Sequence, residues 1–311
     1  MKQLIHTKYK TLTLFLIIGM IIALTSQCES LIKSFVPGGK YIVGGYKAVK
    51  KLKEVYKAYN KEFTPKEEYY IGRTVSASLL KKRRMYSRSG RTPIENYIAK
   101  IGNTLAMASN LPETYQGYRF IVLKSRSINA FAVPSGYIFI TTKLIETASN
   151  EDEIAGALAH EVSHVVLKHP TKSISSARRT EIVLDLVKYG ASEAASASKI
   201  KILNNLTKAF GGVIDDIGKG VLNGYNKDRE KEADIAAVQL MINAGYNPKG
   251  LSAMLRKLKV GGGVHGNPKD RARDVDNKIA TYGGKIPKMR RCRKNRFKRY
   301  VRKGKIRRRA R

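Results

Sequence analysis

The central helix of this chain is predicted by residues 150–164, which read NEDEIAGALAHEVSH. Asn150 can cap a helix, and the three acidic residues after it place negative charge in the first turn, where the helix dipole favours it. The following residues are apolar on nearly all sides, which is typical of a buried helix. Pro170 disfavours helix at the residue before it, so we expect this helix to end near Lys168.

The end of the stretch carries the pattern His-Glu-x-x-His, at His160, Glu161 and His164. Residues four apart on a helix lie on one face, so the two imidazoles can bind one metal ion. Glu161 lies one step around the helix, within reach of a water on that ion, and would act on it as general base. The pattern is short, and a buried structural helix whose histidines only satisfy hydrogen bonds is the alternative.

A third ligand for the same ion is predicted on a second helix, at Glu230. A catalytic zinc site uses three protein ligands and keeps one position for water, so we expect one Zn²⁺ per chain. Asp234, one turn later, is expected to orient a ligand histidine rather than to bind the metal. Glu232 between them is expected to be solvated, and His169 to be structural because it lies off the ligand face.

Local signals elsewhere predict a mostly helical α+β domain over residues 63–284. Thr64 and Thr92 are each followed by proline and, three residues on, by glutamate, which is a helix start signal. The last two of three β-prone segments flank a Pro-Ser-Gly turn. The three segments span residues 118–123, 130–133 and 137–142. We expect them to form a small sheet beside the metal-binding helix.

The charge of this chain is unusual, at +36 from 60 basic and 24 acidic residues in 311. Its apolar content is ordinary and excludes a wholly disordered or polytopic protein. Residues 285–311 contain sixteen Lys or Arg and no acid, which predicts a disordered tail that binds polyanions. Anionic lipid or another envelope polyanion is the favoured partner, and nucleic acid, bound through its phosphates, is a less favoured one. An extension without function is the third alternative.

The amino-terminal region predicts export. Three lysines precede an apolar run of thirteen residues, 12–24, which suits a signal sequence better than a membrane span. Residues 25–28 then resemble a bacterial lipobox, although Gln27 stands where a small residue is usual, and Cys28 is the lipidation candidate. An uncleaved anchor and plain secretion are the alternatives to this 1–28 targeting segment. Residues 29–62 are interpreted as a basic tether, and the catalytic part is expected to face the periplasm.

Together these motifs resemble the M48 family of zinc metallopeptidases, in its mitochondrial and periplasmic minigluzincin branch. The resemblance covers roughly residues 63–280. It rests on the strand-turn-strand at 129–142, on the helix at 150–164, and on Glu230 with Asp234. It implies a zincin-like fold in which His160, His164 and Glu230 bind the metal.

The resemblance also implies roles for residues late in the chain. His265, Pro268 and Arg271 resemble the family's His-Pro-Arg element, with a two-residue spacer where many members have His-Pro directly. His265 would cap the zinc in a resting state or steady the oxyanion, and a loop histidine without a role is the alternative. Arg271 would brace that loop through a carboxylate. Lys143 and the pair Asn226-Lys227 depart from the family pattern.

The resemblance also implies that substrate binds as an extended peptide that pairs with an edge strand, and we assign that role to residues 137–142. Recognition of the backbone suits unfolded or damaged proteins. The expected function is therefore a zinc endopeptidase that removes such proteins from the cell envelope. Two other classes stay open: a protease-fold chaperone that holds its clients, and a basic nucleic-acid-binding protein with an incidental His-Glu-x-x-His.

Overall fold

The computed structural model describes residues 60–87, 89, 92–176, 225–258, 266–288 and 290–301. All of these except Asn60 and Lys61 belong to one compact unit, which comprises residues 62–177 and 207–311. The targeting segment with Cys28, most of the predicted tether, and His265 lie outside the described residues. None of the described helices is both long enough and apolar enough to span a membrane.

The described elements alternate helices with one small sheet. In chain order they are α1 (Pro65–Lys82), α2 (Pro93–Met107), β1 (Arg119–Leu123), β2 (Ala130–Val133), β3 (Tyr137–Thr141), α3 (Thr142–Thr147), α4 (Glu151–Val166), α5 (Lys227–Asn243), α6 (Lys249–Leu255), α7 (Pro268–Ala280) and α8 (Arg291–Tyr300). A further helical segment covers residues 169–176. The prediction of a mostly helical α+β fold with a small sheet is confirmed.

The first two helices begin where their caps predict. The Thr64 hydroxyl accepts the Glu67 N–H, and the Glu67 carboxylate accepts the Thr64 N–H in return. Thr92 and Glu95 form the same reciprocal pair at the start of α2. Each pair satisfies two backbone N–H groups that the start of a helix would otherwise leave without a hydrogen-bond partner.

The sheet has the strand order β1-β3-β2, with β1 parallel and β2 antiparallel to β3. The three-residue turn Pro134–Gly136 forces β2 and β3 to pair, and β1 adds on the other side of β3. β3 is therefore the central strand, and the assignment of an edge strand to residues 137–142 is wrong. Among the described residues β2 is an edge, and it packs against α4.

Two apolar clusters enclose the sheet. One face packs with α2 and α4 around residues such as Ile98, Ile138 and Leu158. The other face packs with α1, where Phe131 of β2 stacks on Phe139 of β3 with ring centroids 4.9 Å apart. α4 belongs to the first cluster and is buried along its whole length up to Val165, as its apolar sequence predicts.

Two glycines let α4 approach α6 closely. A Cβ on Gly250 would lie 2.3 Å from the Asp152 carbonyl oxygen, and one on Gly156 would lie 2.6 Å from the Leu251 Cα. Both distances are shorter than any side chain tolerates, so only glycine permits this packing. The approach fixes the start of α4 against its neighbour.

Three consecutive carboxylates are buried in the first turn of α4. Each has a cationic partner from later in the chain: Glu151 with Arg296 at 2.5 Å, Asp152 with Arg293 at 3.3 Å, and Glu153 with Lys257 at 2.5 Å. Buried charges are tolerated when they are paired in this way. The acids thus serve as ion-pair partners as well as dipole-favoured residues.

Two of these cations come from the stretch predicted to be disordered, and for residues 291–300 that prediction is wrong. They form α8, which packs against α4 and α2. Arg293 is buried, and Tyr300 stacks on Tyr97 of α2 with ring centroids 4.8 Å apart. The acidic turn of α4 gives these basic residues a folded site, and the unit extends past residue 284. Residues 302–311 lie outside the described part.

Candidate metal centre

The two histidines of α4 converge as their spacing predicts. Their Nε2 atoms lie 3.0 Å apart, and the rings meet edge to face with centroids 4.5 Å apart. Both side chains are buried, and His164 is 0 % exposed. Because the helix is packed on all sides, the rings have little freedom to turn away from each other.

Glu230 of α5 completes a three-residue group. Its Oε2 lies 3.4 Å from His160 Nε2, and its Oε1 lies 3.7 Å from His164 Nε2. One ligand atom from each residue lies within 4.8 Å of the other two, so the group can hold a metal ion. Two imidazole nitrogens and a carboxylate that converge in a buried position are a donor set that zinc accepts. The residues present therefore fit a zinc ion.

Asp234 and Arg271 both contact His160, and Arg271 Nη2 lies 3.3 Å from each nitrogen of that ring. Asp234 Oδ1 lies 2.9 Å from His160 Nδ1, on the side of the ring away from Glu230. Arg271 of α7 donates to both Asp234 oxygens at 2.7 Å, and its Nη1 lies 3.2 Å from Glu230 Oε2. This forked contact joins α5 to α7, so Arg271 is fixed directly against two carboxylates of the site.

The charges around the group shift the pKa values of two of its side chains. Burial raises the pKa of Asp234, but the charges and hydrogen bonds of Arg271 and His160 together outweigh burial and hold that pKa below its ordinary value. Burial and Arg271 lower the pKa of His160, but Asp234 and Glu230 outweigh them and raise it to about 9. In the metal-free protein the two carboxylates thus favour the protonated His160 ring, and metal binding requires its Nε2 to lose that proton.

Glu161 is buried on α4, directly after the ligand candidate His160 in sequence. Burial, followed by the charge of Glu161, raises the pKa of the Tyr225 hydroxyl well above its usual value. The Tyr225 ring lies 4.5 Å from the His164 ring, so the Glu161 carboxylate is within electrostatic reach of the same site. The structure thus places Glu161 beside the two histidines that flank it in sequence.

Sequence reasoning missed two residues that contact the group. Tyr225 packs against His164, and its backbone N–H donates to Glu230 Oε1 at 3.0 Å. His169 was interpreted as structural, yet its Nδ1 lies 2.8 Å from His164 Nδ1. The only sequence signal for each was its spacing: His169 follows His164 by five residues, and Tyr225 precedes Glu230 by five.

Glu232, which was expected to be solvated, and Asn226, which departs from the family pattern, each make a contact that the sequence did not predict. Glu232 is largely exposed, but its Oε2 lies 3.1 Å from His169 Nε2, so it is not simply solvated. Asn226 is the N-cap of α5, where its side chain accepts the Arg229 N–H at 3.0 Å. The departure from the family pattern at Asn226 therefore keeps a capping side chain before Glu230.

Comparison with known proteins agrees with this geometry. The model of the family described as "Peptidase family M48" matches residues 94–283. The β-barrel assembly-enhancing protease of Escherichia coli (strain K12) is 26% identical over 165 residues, which cover 53% of this chain and 32% of that protein. Metalloprotease LoiP of the same strain is 27% identical over 175 residues, covering 56% and 64%.

A eukaryotic relative matches as well. The mitochondrial metalloendopeptidase OMA1 of Schizosaccharomyces pombe is 23% identical over 174 residues, which cover 56% of this chain and 47% of that protein. The chain spans about a third of the length of the β-barrel assembly-enhancing proteases it matches, 32% for the Escherichia coli protein. The family model nevertheless extends over more than half of the chain, through the motif helix, Glu230 and Arg271. The chain therefore belongs to peptidase family M48 and contains a metallopeptidase domain of that family.

Proposed function

We propose that this chain is a zinc-dependent endopeptidase with a zincin-like active site. The observation that carries the proposal is the convergence of His160, His164 and Glu230 from two helices, with Glu161 beside them. The three would hold one zinc ion. Zinc supplies Lewis-acid polarisation of the scissile carbonyl and lowers the pKa of water towards about 7.

The residues of the chain then divide the remaining work. Glu161 takes a proton from the attacking water and returns it to the nitrogen of the leaving amine, so no proton has to come from solvent. Asp234 holds the His160 ring in the orientation that keeps Nε2 towards the metal position. Arg271 holds Asp234 and Glu230 in register with each other.

Substrate is proposed to bind along β2 rather than along β3. Within the described sheet β2 has a strand neighbour on one side only, and it packs against the helix that carries the metal ligands. An extended peptide can pair with such an edge through backbone hydrogen bonds. Binding through the backbone selects extended chain rather than particular side chains, which supports unfolded or damaged proteins as substrates.

The first test is the metal content of the purified full-length protein. We expect about one zinc per wild-type chain and a strongly reduced content in Glu230→Ala, because two histidines alone hold zinc weakly. Asp228→Ala is the matched control, since Asp228 is an exposed acid in the same first turn of α5. Equal zinc in all three proteins would remove Glu230 from the ligand set.

The cell envelope is the proposed location, with damaged envelope proteins as the substrates. The predicted export segment supports this, and so does the name of the Escherichia coli relative, which refers to β-barrel assembly. A membrane surface is the proposed partner of the exposed face of α8. Arg293 and Arg296 face α4, whereas Arg291, Lys294 and Lys298 are exposed to solvent.

Reversal of these three exposed charges is expected to weaken binding to vesicles that contain phosphatidylglycerol. Each basic residue near an anionic surface contributes about 1 kcal/mol, so the triple change to Glu should release most of the protein in a sedimentation assay. The control reverses Lys66, Lys100 and Lys124, which are exposed and distant in sequence, so that net charge is matched. Equal binding by both variants, or preference for RNA over vesicles, would contradict the assignment.

A further inference from the structure

We propose that His169 is a positioning residue for His164, and that Glu232 acts behind it as the second member of a hydrogen-bonded chain. The inference rests on the proposed function, since it concerns the orientation of one of the metal ligands. His164 Nδ1 lies 2.8 Å from His169 Nδ1, and His169 Nε2 lies 3.1 Å from Glu232 Oε2. Three side chains from three separate helical segments are thereby joined in one line.

The hydrogens along this line have one consistent arrangement. His164 Nε2 faces His160 Nε2 and Glu230, so that nitrogen must carry no hydrogen if it is to bind a metal. The hydrogen of the neutral ring is then on Nδ1, where it is donated to His169 Nδ1. His169 must accept there and carry its own hydrogen on Nε2, which it donates to the Glu232 carboxylate.

The two ligand histidines are thus supported in different ways. His160 contacts a buried carboxylate directly, because Asp234 lies 2.9 Å from its Nδ1. His164 contacts a buried imidazole, and the carboxylate behind that ring is 61 % exposed. A ligand histidine that lacks its outer partner can rotate and bind the other tautomer, so His169 takes the part that Asp234 takes for His160.

The local backbone holds His169 where the line requires it. α4 ends at Val166, Lys168 adopts a positive φ of 56°, and helix resumes at residue 169. The new segment is tied to α5 a second time, because Arg229 Nη1 donates to Ser173 Oγ at 2.7 Å. With the Glu232 contact, two ties fix the start of this segment against the helix that carries Glu230.

The experiment compares His169→Leu with His169→Asn in the full-length zinc-loaded protein. Leucine offers no acceptor to His164, whereas the Asn oxygen can occupy the position of the histidine Nδ1. We expect zinc release to a chelator to be about 10–100-fold faster in His169→Leu, and within a few-fold of wild type in His169→Asn. The visible absorption spectrum of the cobalt-substituted protein should change in the leucine variant and be restored in the asparagine variant.

Ile174→Ala is the control for a purely structural effect. Ile174 is buried in the same helical segment and touches the apolar cluster rather than the histidines, so its truncation should lower stability and leave the cobalt spectrum unchanged. Glu232→Ala gives an independent measurement, because an exposed side chain can be truncated without unfolding the protein. It is expected to accelerate zinc release by a few-fold.

Each outcome decides the inference. Zinc release and a cobalt spectrum like those of wild type in His169→Leu would overturn it, and so would identical losses in His169→Leu, His169→Asn and Ile174→Ala. If His169→Leu does not fold, two results together overturn the inference: zinc release at the wild-type rate in Glu232→Ala, and zinc release much faster than wild type in His169→Asn. A wild-type protein that takes up no metal would instead sink the proposed function, and the inference with it.

Discussion

Glu161→Gln is expected to lower kcat/KM for an unfolded substrate such as casein by about 10²–10⁴-fold, the usual contribution of a general base. Glutamine has nearly the same shape but cannot take a proton from water. Since Glu161 is outside the three-residue ligand group, zinc content should stay at the wild-type level. The measurement is cleavage rate and metal content on the same preparation.

Glu113→Gln is the control for this substitution, because Glu113 is an exposed acid in a loop between α2 and β1. It should cleave at the wild-type rate. Retained cleavage in Glu161→Gln would exclude Glu161 as the base. The chaperone alternative predicts a different pattern, in which wild type and Glu161→Gln suppress client aggregation equally and neither protein cuts the client.

Arg293→Met is expected to reduce the free energy of unfolding by about 3–5 kcal/mol, because it leaves a buried carboxylate without its cation. Asp152 is 1 % exposed, and burial already raises its pKa against the opposing charge of Arg293. Arg293 also donates to the Lys288 carbonyl at 2.9 Å and lies over the Tyr246 ring at 5.0 Å. Urea denaturation of the two proteins, compared at the same zinc concentration, gives the difference.

Two further variants make this measurement specific. Arg291→Met removes an equal charge from the exposed face of α8 and should change stability by less than about 0.5 kcal/mol. Asp152→Asn combined with Arg293→Met should recover part of the loss, because the uncompensated charge is gone. If Arg291→Met and Arg293→Met are equally stable, the ion pair does not hold α8 to α4.

Features that depend on neighbouring residues could be predicted from sequence. The starts of α1 and α2 follow from capping boxes that span four residues, and the convergence of His160 and His164 follows from the helical repeat. The turn at Pro134–Gly136 correctly separates β2 from β3. In each case the deciding interaction lies within about one helical turn or one hairpin.

The errors concern partners that are far apart in the chain. The acids at the start of α4 and the basic residues near Arg293 each have a complete local explanation, as a dipole-favoured turn and as a solvated tail. Nothing local shows that they bind each other. The order of strands in the sheet is equally non-local, because β1 and β3 have similar patterns and only the fold decides which is central. The contact between His169 and Glu232 is non-local as well, because 63 residues separate them.

The ion pairs at the start of α4 also bear on when the domain can finish folding during synthesis. Glu151 and Arg296 are 145 residues apart in the chain. At a translation rate of about 5–20 residues per second, the carboxylates leave the ribosome roughly 7–30 s before the cations that neutralise them. Over the last 66 residues of that stretch, from Glu230 to Arg296, the nascent chain contains every proposed zinc ligand but lacks the last charges that secure the helix of His160 and His164. Maturation of the enzyme is therefore expected to be a late event.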